Sequence, residues 1–260
     1  MLRAFSTAAT GMDAQQTMVD VIANNLANVN TNGFKRSQVN FQDLLYVKMR
    51  QASREVAAGI TAPSGMEVGS GVRIASTNRA FSVGELQSTG NELDMAIQGD
   101  GFFQVTMPNG ELRYTRDGAI QKDANGLLVN ASGYELSPSI TIPEDALAVD
   151  IAPDGTVSVE TYTGTQVVGT IELYRFSNPA GLTAEGGNLY RETEASGAAI
   201  AGTAGENGFG PILSQYLEKS NVQMVNELVN LITAQRAYEI NSRTIRTGDN
   251  MLQQLNQLIR

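Results

Sequence analysis

Carboxylates dominate the side chains here that could do chemistry. Asp and Glu number 27 against 18 Lys and Arg, and His, Cys and Trp are absent from the 260 residues. Without histidine the commonest general base and metal ligand near neutral pH is missing. Without cysteine there is no thiolate nucleophile and no disulfide, and a structural zinc site lacks its usual ligands. A carboxylate pair at a suitable separation can still hydrolyse a glycosidic bond, so a carboxylate-dependent peptidoglycan hydrolase is the enzymatic alternative. No spacing singles out such a pair, and we expect no catalytic, cofactor-binding or metal-binding residues. Gly99-Asp100-Gly101-Phe102-Phe103 lacks the third glycine and following helix of a phosphate loop, and reads as a turn into a strand. Asp123-Ala124-Asn125-Gly126 is too short for a calcium loop and lacks the later bidentate glutamate. A net charge of -9 argues against a nucleic-acid partner, and Lys35-Arg36 is too short a cluster to reverse that.

The elements that would position any site lie mostly at the two ends. Phe5, Met12, Val19 and Leu26 recur every seven residues, with Ala8, Ile22 and Val29 three further on and only Gln15 polar; this is a helical seam. It breaks at Asn30-Thr31-Asn32-Gly33-Phe34-Lys35-Arg36, where Asn32-Gly33 can adopt the left-handed conformation that ends a helix. From about Gln215 to Arg260 a second helix is expected, roughly 64 Å long at about 1.5 Å per residue. Its apolar seam is Leu217, Met224, Leu231, Tyr238, Ile245, Leu252 and Ile259. Counting four on from each, only Leu228 is apolar, which is not a simple two-stranded zipper.

Between the ends, alternating apolar residues and frequent Asn-Gly, Asp-Gly and Ser-Gly pairs from about Met66 to Phe176 predict short antiparallel strands. Gly186 to Pro211, rich in Gly and Ala, reads as a loose connection. The expected fold class is α+β with discontinuous domains: coiled-coil terminal helices over 1–32 and 215–260, and an antiparallel all-β domain over 76–185. A connecting region covers 33–75 and 186–214, with an insert at about 46–65. No apolar run approaches the roughly 20 residues needed to span a bilayer, and the opening lacks the apolar core of a conventional signal peptide. Terminal helices with incomplete seams cost ordering entropy if folded alone and recover it against neighbouring copies. Head-to-tail association of unlike surfaces then builds a helical filament; an adaptor working by β-augmentation is the other binding class open to this pattern.

Ala23-Asn24-Asn25-Leu26-Ala27-Asn28-Val29-Asn30-Thr31-Asn32-Gly33-Phe34-Lys35 resembles the N-terminal signature of bacterial flagellar rod and hook proteins. Gln98-Gly99-Asp100-Gly101-Phe102-Phe103-Gln104-Val105 and Tyr114-Thr115-Arg116-Asp117-Gly118 are similar to the family's middle motifs. Its C-terminal motif resembles Ser220-Asn221-Val222 through Gln235-Arg236-Ala237-Tyr238-Glu239-Ile240-Asn241. The length, and the segment from Phe41 to Gly65, look like the distal-rod branch rather than the proximal-rod or hook branches; only Arg3 and Ser6 make the opening more polar than that branch's.

The resemblance implies a homo-oligomeric, non-enzymatic and non-membrane-spanning subunit of a rigid drive shaft running from periplasm to outer membrane, with the terminal helices as its inner coiled-coil layer and the all-β domain as its outer domain. It also implies export without a cleaved signal peptide through the flagellar export apparatus, and contacts with proximal rod, hook or hook-junction proteins and surrounding basal-body rings. Expected subunit-interface residues are Phe5, Met12, Val19, Ile22, Leu26, Val29, Met224, Leu228, Leu231, Tyr238, Ile245 and Leu252. Tyr46, Val47, Met49, Arg50, Pro63 and Ser64 belong to an insert expected to stiffen the shaft. The motif residues are Asn24, Asn25, Asn28, Asn32, Gly33, Phe34, Gly99, Gly101, Phe102, Asp117 and Gly118.

Overall fold

A computed structural model describes residues 2–50, 55–57, 60–61 and 65–258. The chain divides into two compact units. A helical unit holds the residues up to Leu26, Ser37–Asn78 and those from Met224 on; a β unit holds Ala27–Arg36 and Arg79–Gln223. The backbone therefore passes from one unit to the other four times, and the architecture is α+β, with terminal helices and a mostly antiparallel β region.

In the β unit a seven-stranded antiparallel sheet runs in the order 120–122, 128–130, 135–137, 103–106, 112–115, 189–191 and 183–186. A three-stranded sheet, 146–151 with 156–161 with 164–170, carries the most regular alternation. Val157, Val159 and Thr161 point inward while Glu160 points to solvent, the period of two that a half-buried strand requires. Asn109-Gly110 and Asp154-Gly155 close tight turns with glycine φ of +81 and +89. The core gathers Met95, Ile97, Phe103, Val105, Leu128, Leu136, Val157, Val159, Ile171, Leu173 and Ile212, all fully buried. Each such aliphatic or aromatic side chain contributes about 1.5–3 kcal/mol of burial free energy.

Strand structure continues well past Phe176. Residues 189–191 pair with 112–115, 200–203 with 172–175, 212–214 with 95–97 and 216–218 with 86–88. The Gly/Ala-rich stretch is thus part of the β unit: Leu189, Tyr190, Phe209 and Ile212 supply buried contacts at intervals too wide to register as a periodic pattern.

In the helical unit α1 spans Leu2–Ala27 and α2 spans Met224–Leu258. At about 1.5 Å per residue, the 35 residues of α2 extend about 52 Å. α2 begins nine residues later than the heptad count implies, because Tyr216–Glu218 is a strand and Leu217 belongs to it. The strands 37–43 and 72–79 pair with each other, as do 47–50 and 66–68.

The two helices run antiparallel: Gly11 lies beside Asn241, and Gly248 beside Phe5. A Cβ added at Gly248 would sit 2.6 Å from the Phe5 ring, and one at Gly11 2.9 Å from the Asn241 amide nitrogen. The second seam of α2 lies three residues on from the first rather than four: Glu227, Ala234, Asn241 and Gly248 are the buried or half-buried positions. The small Ala234 and Gly248 there let the helices approach closely, which a search for apolar periodicity passes over.

Candidate functional site

The helical unit leaves a large apolar surface uncovered. On α2, Val225 is 73 % exposed, Ile240 63 % and Val229 56 %, and Met224, Leu228, Ile232, Tyr238 and Met251 are also exposed. An exposed apolar cluster of this kind marks a candidate interaction surface. A cleft of about 410 Å³, lined by Ala4, Phe5, Ile240, Arg243, Gly248 and Met251 among others, opens beside the helix pair.

The expected interface residues therefore divide. Ile22 is buried, and Phe5, Met12, Val19, Leu26, Leu231, Ile245 and Leu252 are half-buried in this unit. Met224, Leu228 and Tyr238 face solvent, while Val29 is a half-buried member of the β unit. The outward residues that heptad counting missed, Val225, Val229, Ile232 and Ile240, are β-branched and sit off its seam. For Val225, Val229 and Ile232 the signal was the apolar density of 222–232 on nearly every side of the helix.

Around the insert, Tyr46, Val47, Met49 and Arg50 are exposed, as are Leu45 and Met66. Val47 pairs with Val68, and Arg50 with Met66. Pro63 and Ser64 lie outside the described residues.

The motif residues serve backbone architecture. In the helical unit, the Asn25 amide donates to the Ser37 carbonyl (2.8 Å) and accepts from the Ser37 N–H (2.9 Å), so a side chain stands in for a strand partner. Asn24, by contrast, is exposed. In the β unit, the Asn28 side chain accepts from the Thr31 hydroxyl, and Gly33 turns at φ +67 with its Cα against the Arg116–Asp117 backbone. Phe34 is half-buried. Asn188 donates to the Asn32 carbonyl and to the Asp117 carboxylate. Asp117 also caps the Ala119 N–H, and burial raises its carboxyl above the usual carboxylate range. Gly118 passes so close to the Met95 carbonyl that no Cβ fits. Gly99 and Gly101, at φ +135 and +147, swing the chain into the strand that begins at Phe103. Phe102 packs edge-on against Phe81, Phe176 and Tyr190.

Beneath this turn lies a buried ionic cluster. Lys35 Nζ donates to Glu218 Oε1 (2.5 Å) and to the Ser82 carbonyl (2.7 Å). Arg116 donates to Glu218 Oε2 (3.4 Å) and to the Gly99 carbonyl (2.7 Å), and stacks over Phe102. Desolvation pushes both Lys35 and Arg116 below their ordinary pKa values, and the Glu218 carboxylate opposes that shift. Lys35 and Arg116 stand within the quoted motifs. Glu218 was missed, because the heptad count from Leu217 placed it on a helix. Among the described residues no group of three or more Asp, Glu, His or Cys is placed to hold a metal ion, and no helix is long and apolar enough to cross a membrane.

These elements recur in known proteins. Residues 5–35 match the family described as flagella basal body rod protein, residues 96–159 the flagellar hook protein FlgE/F/G D1 domain, and residues 213–258 the flagellar basal body rod FlgEFG protein C-terminal region. The chain is 51 % identical to the flagellar basal-body rod protein FlgG of Buchnera aphidicola subsp. Schizaphis graminum, over 96 % of each chain. It is 47 % identical to that of Borreliella burgdorferi and 40 % to that of Bacillus subtilis, in both cases over the full length of each chain. With three matched segments in chain order and relatives alike from end to end, the chain belongs to the flagellar basal-body rod protein family.

Proposed function

We infer that this chain is a structural subunit of the flagellar distal rod, a tubular shaft built from many copies and carrying torque from motor to hook. The observation that carries the reading is the exposed apolar face of α2, centred on Val225, Val229 and Ile232, in a chain whose relatives are named as basal-body rod proteins. In this reading copies of the helical unit cover that face for one another, with Met224, Leu228 and Tyr238 at the contact. The helices wall the export channel, and the β units form the outer layer, where they meet the surrounding rings. Proximal rod subunits and hook or hook-junction proteins continue the shaft at either end, and the export apparatus delivers each chain.

Multivalent contact supports stiffness, because each copy touches several others and no single interface carries the load. Exposed Leu45, Tyr46, Met49 and Met66 give the insert region the chemistry of a bridge between copies. Electron microscopy of the purified protein under assembly conditions tests the reading: tubes are expected, and a closed compact oligomer would refute it. Deleting residues 50–65 is expected to leave the β unit folded and to lower the bending stiffness of the tubes. Unchanged stiffness would remove the insert from the account.

A further inference from the structure

Three stretches far apart in sequence are joined at one carboxylate. Glu218 Oε1 accepts from Lys35 Nζ and from the Gly84 N–H, Oε2 accepts from Arg116, and the Glu218 carbonyl accepts from the Gly33 N–H. The Lys219 N–H returns a bond to Glu85, and Asn221 spans Arg36, Ala80 and Ser82. The side chains of Lys35, Arg116 and Glu218 are all buried to within 1 %. Lys35 precedes Glu218 by 183 residues and Arg116 precedes it by 102.

Two buried cations with one carboxylate leave an excess positive charge even in the finished fold. Without Glu218 both cations lose the one buried carboxylate they share, which is strongly destabilising.

We propose that residues 27–36 form a strap on the β unit that Glu218 latches, so that the unit closes only once the chain is present through about residue 221. For a polypeptide delivered amino end first, Lys35 and Arg116 arrive early and stay hydrated until their shared carboxylate follows. Closure of the strap thus reports that all but the last helix has emerged. The distance in sequence does the timing, and the burial makes it all-or-none. This inference does not depend on whether the chain polymerises.

Amide hydrogen exchange on the full chain tests it. In Glu218→Gln, the amides of residues 33–36 and of Gly84 should exchange at least about 100-fold faster, while strands 95–97, 103–106 and 157–159 keep their protection. Adding Lys35→Met to Glu218→Gln restores the charge balance and should recover much of the lost protection; this comparison still decides the matter if the single variant folds poorly. Pulse labelling during refolding of the unaltered chain should show residues 33–36 becoming protected in the same phase as 216–219. The proposal is overturned if Glu218→Gln leaves the strap protected, if Lys35→Met adds a further loss, or if the strap is protected before residues 216–219.

Discussion

Single side chains and single backbone positions decide how the β unit closes. At Gly118 a Cβ would strike the Met95 carbonyl, whereas at Gly133 it would meet nothing within 4 Å, although φ is +82 there. Gly118→Ala should therefore lower β-unit stability by about 3 kcal/mol or more. Gly133→Ala should cost only the left-handed backbone penalty of about 1–2 kcal/mol. Urea unfolding of the two variants checks the ranking, and equal losses would contradict the backbone contact. Tyr174 gives a pH dependence. Burial, reinforced by Glu172, pushes its phenol up to about 12 from an ordinary value of 10. Between those values the folded state keeps the proton and the unfolded state releases it, so stability falls as pH rises through that window. Tyr174→Phe should raise the alkaline unfolding midpoint by roughly 0.3 pH unit, read by circular dichroism. At this scale Gly118 was singled out as a motif residue, while Lys35 and Arg116 stood inside the quoted motifs without a role. Glu218 was not singled out, because a buried carboxylate looks like any other acid until its cations, 102 and 183 residues away in sequence, are brought beside it.

At the level of elements, both helices and the strand-rich middle were readable from periodicity; the turn at Asn32-Gly33 was marked by its chemistry, but it does not end the first helix, which stops earlier, at Ala27. The seam of α2 was not, because close helix approach selects Ala234 and Gly248 for smallness rather than apolarity. The strands after residue 186 were hidden by glycine-rich composition: 189–191 closes a short hairpin with 183–186, but the remaining partners lie 25 to 132 residues earlier, outside any local window. The exposed face of α2 yields a separable phenotype. Val229→Asp with Ile232→Asp changes two solvent-facing positions, so helix content and thermal midpoint should move little, within about 1 kcal/mol. Assembly should be abolished, as followed by sedimentation. Tubes from the double variant would shift the interface elsewhere.

Charge is partitioned across the whole molecule. The helical unit carries nine basic and eight acidic side chains, the β unit nine basic and nineteen acidic, giving +1 and -10. From Asp123 through Tyr174 eight carboxylates occur without one Lys or Arg. In the proposed assembly these acidic β units would repel one another, a repulsion that salt screens, the Debye length being about 10 Å at 0.1 M and about 3 Å at 1 M. The critical concentration for assembly should therefore fall several-fold between about 0.05 and 0.5 M sodium chloride, while hydrophobic contact on α2 is retained. A critical concentration that rises with salt would mean that ion pairs, not apolar contacts, hold copies together.

The four covalent passages between the two units, near residues 26, 36, 78 and 223, have a mechanical consequence. A pull that separates the units is borne by four peptide chains in parallel, not by a single linker. One proteolytic nick still leaves three tethers intact.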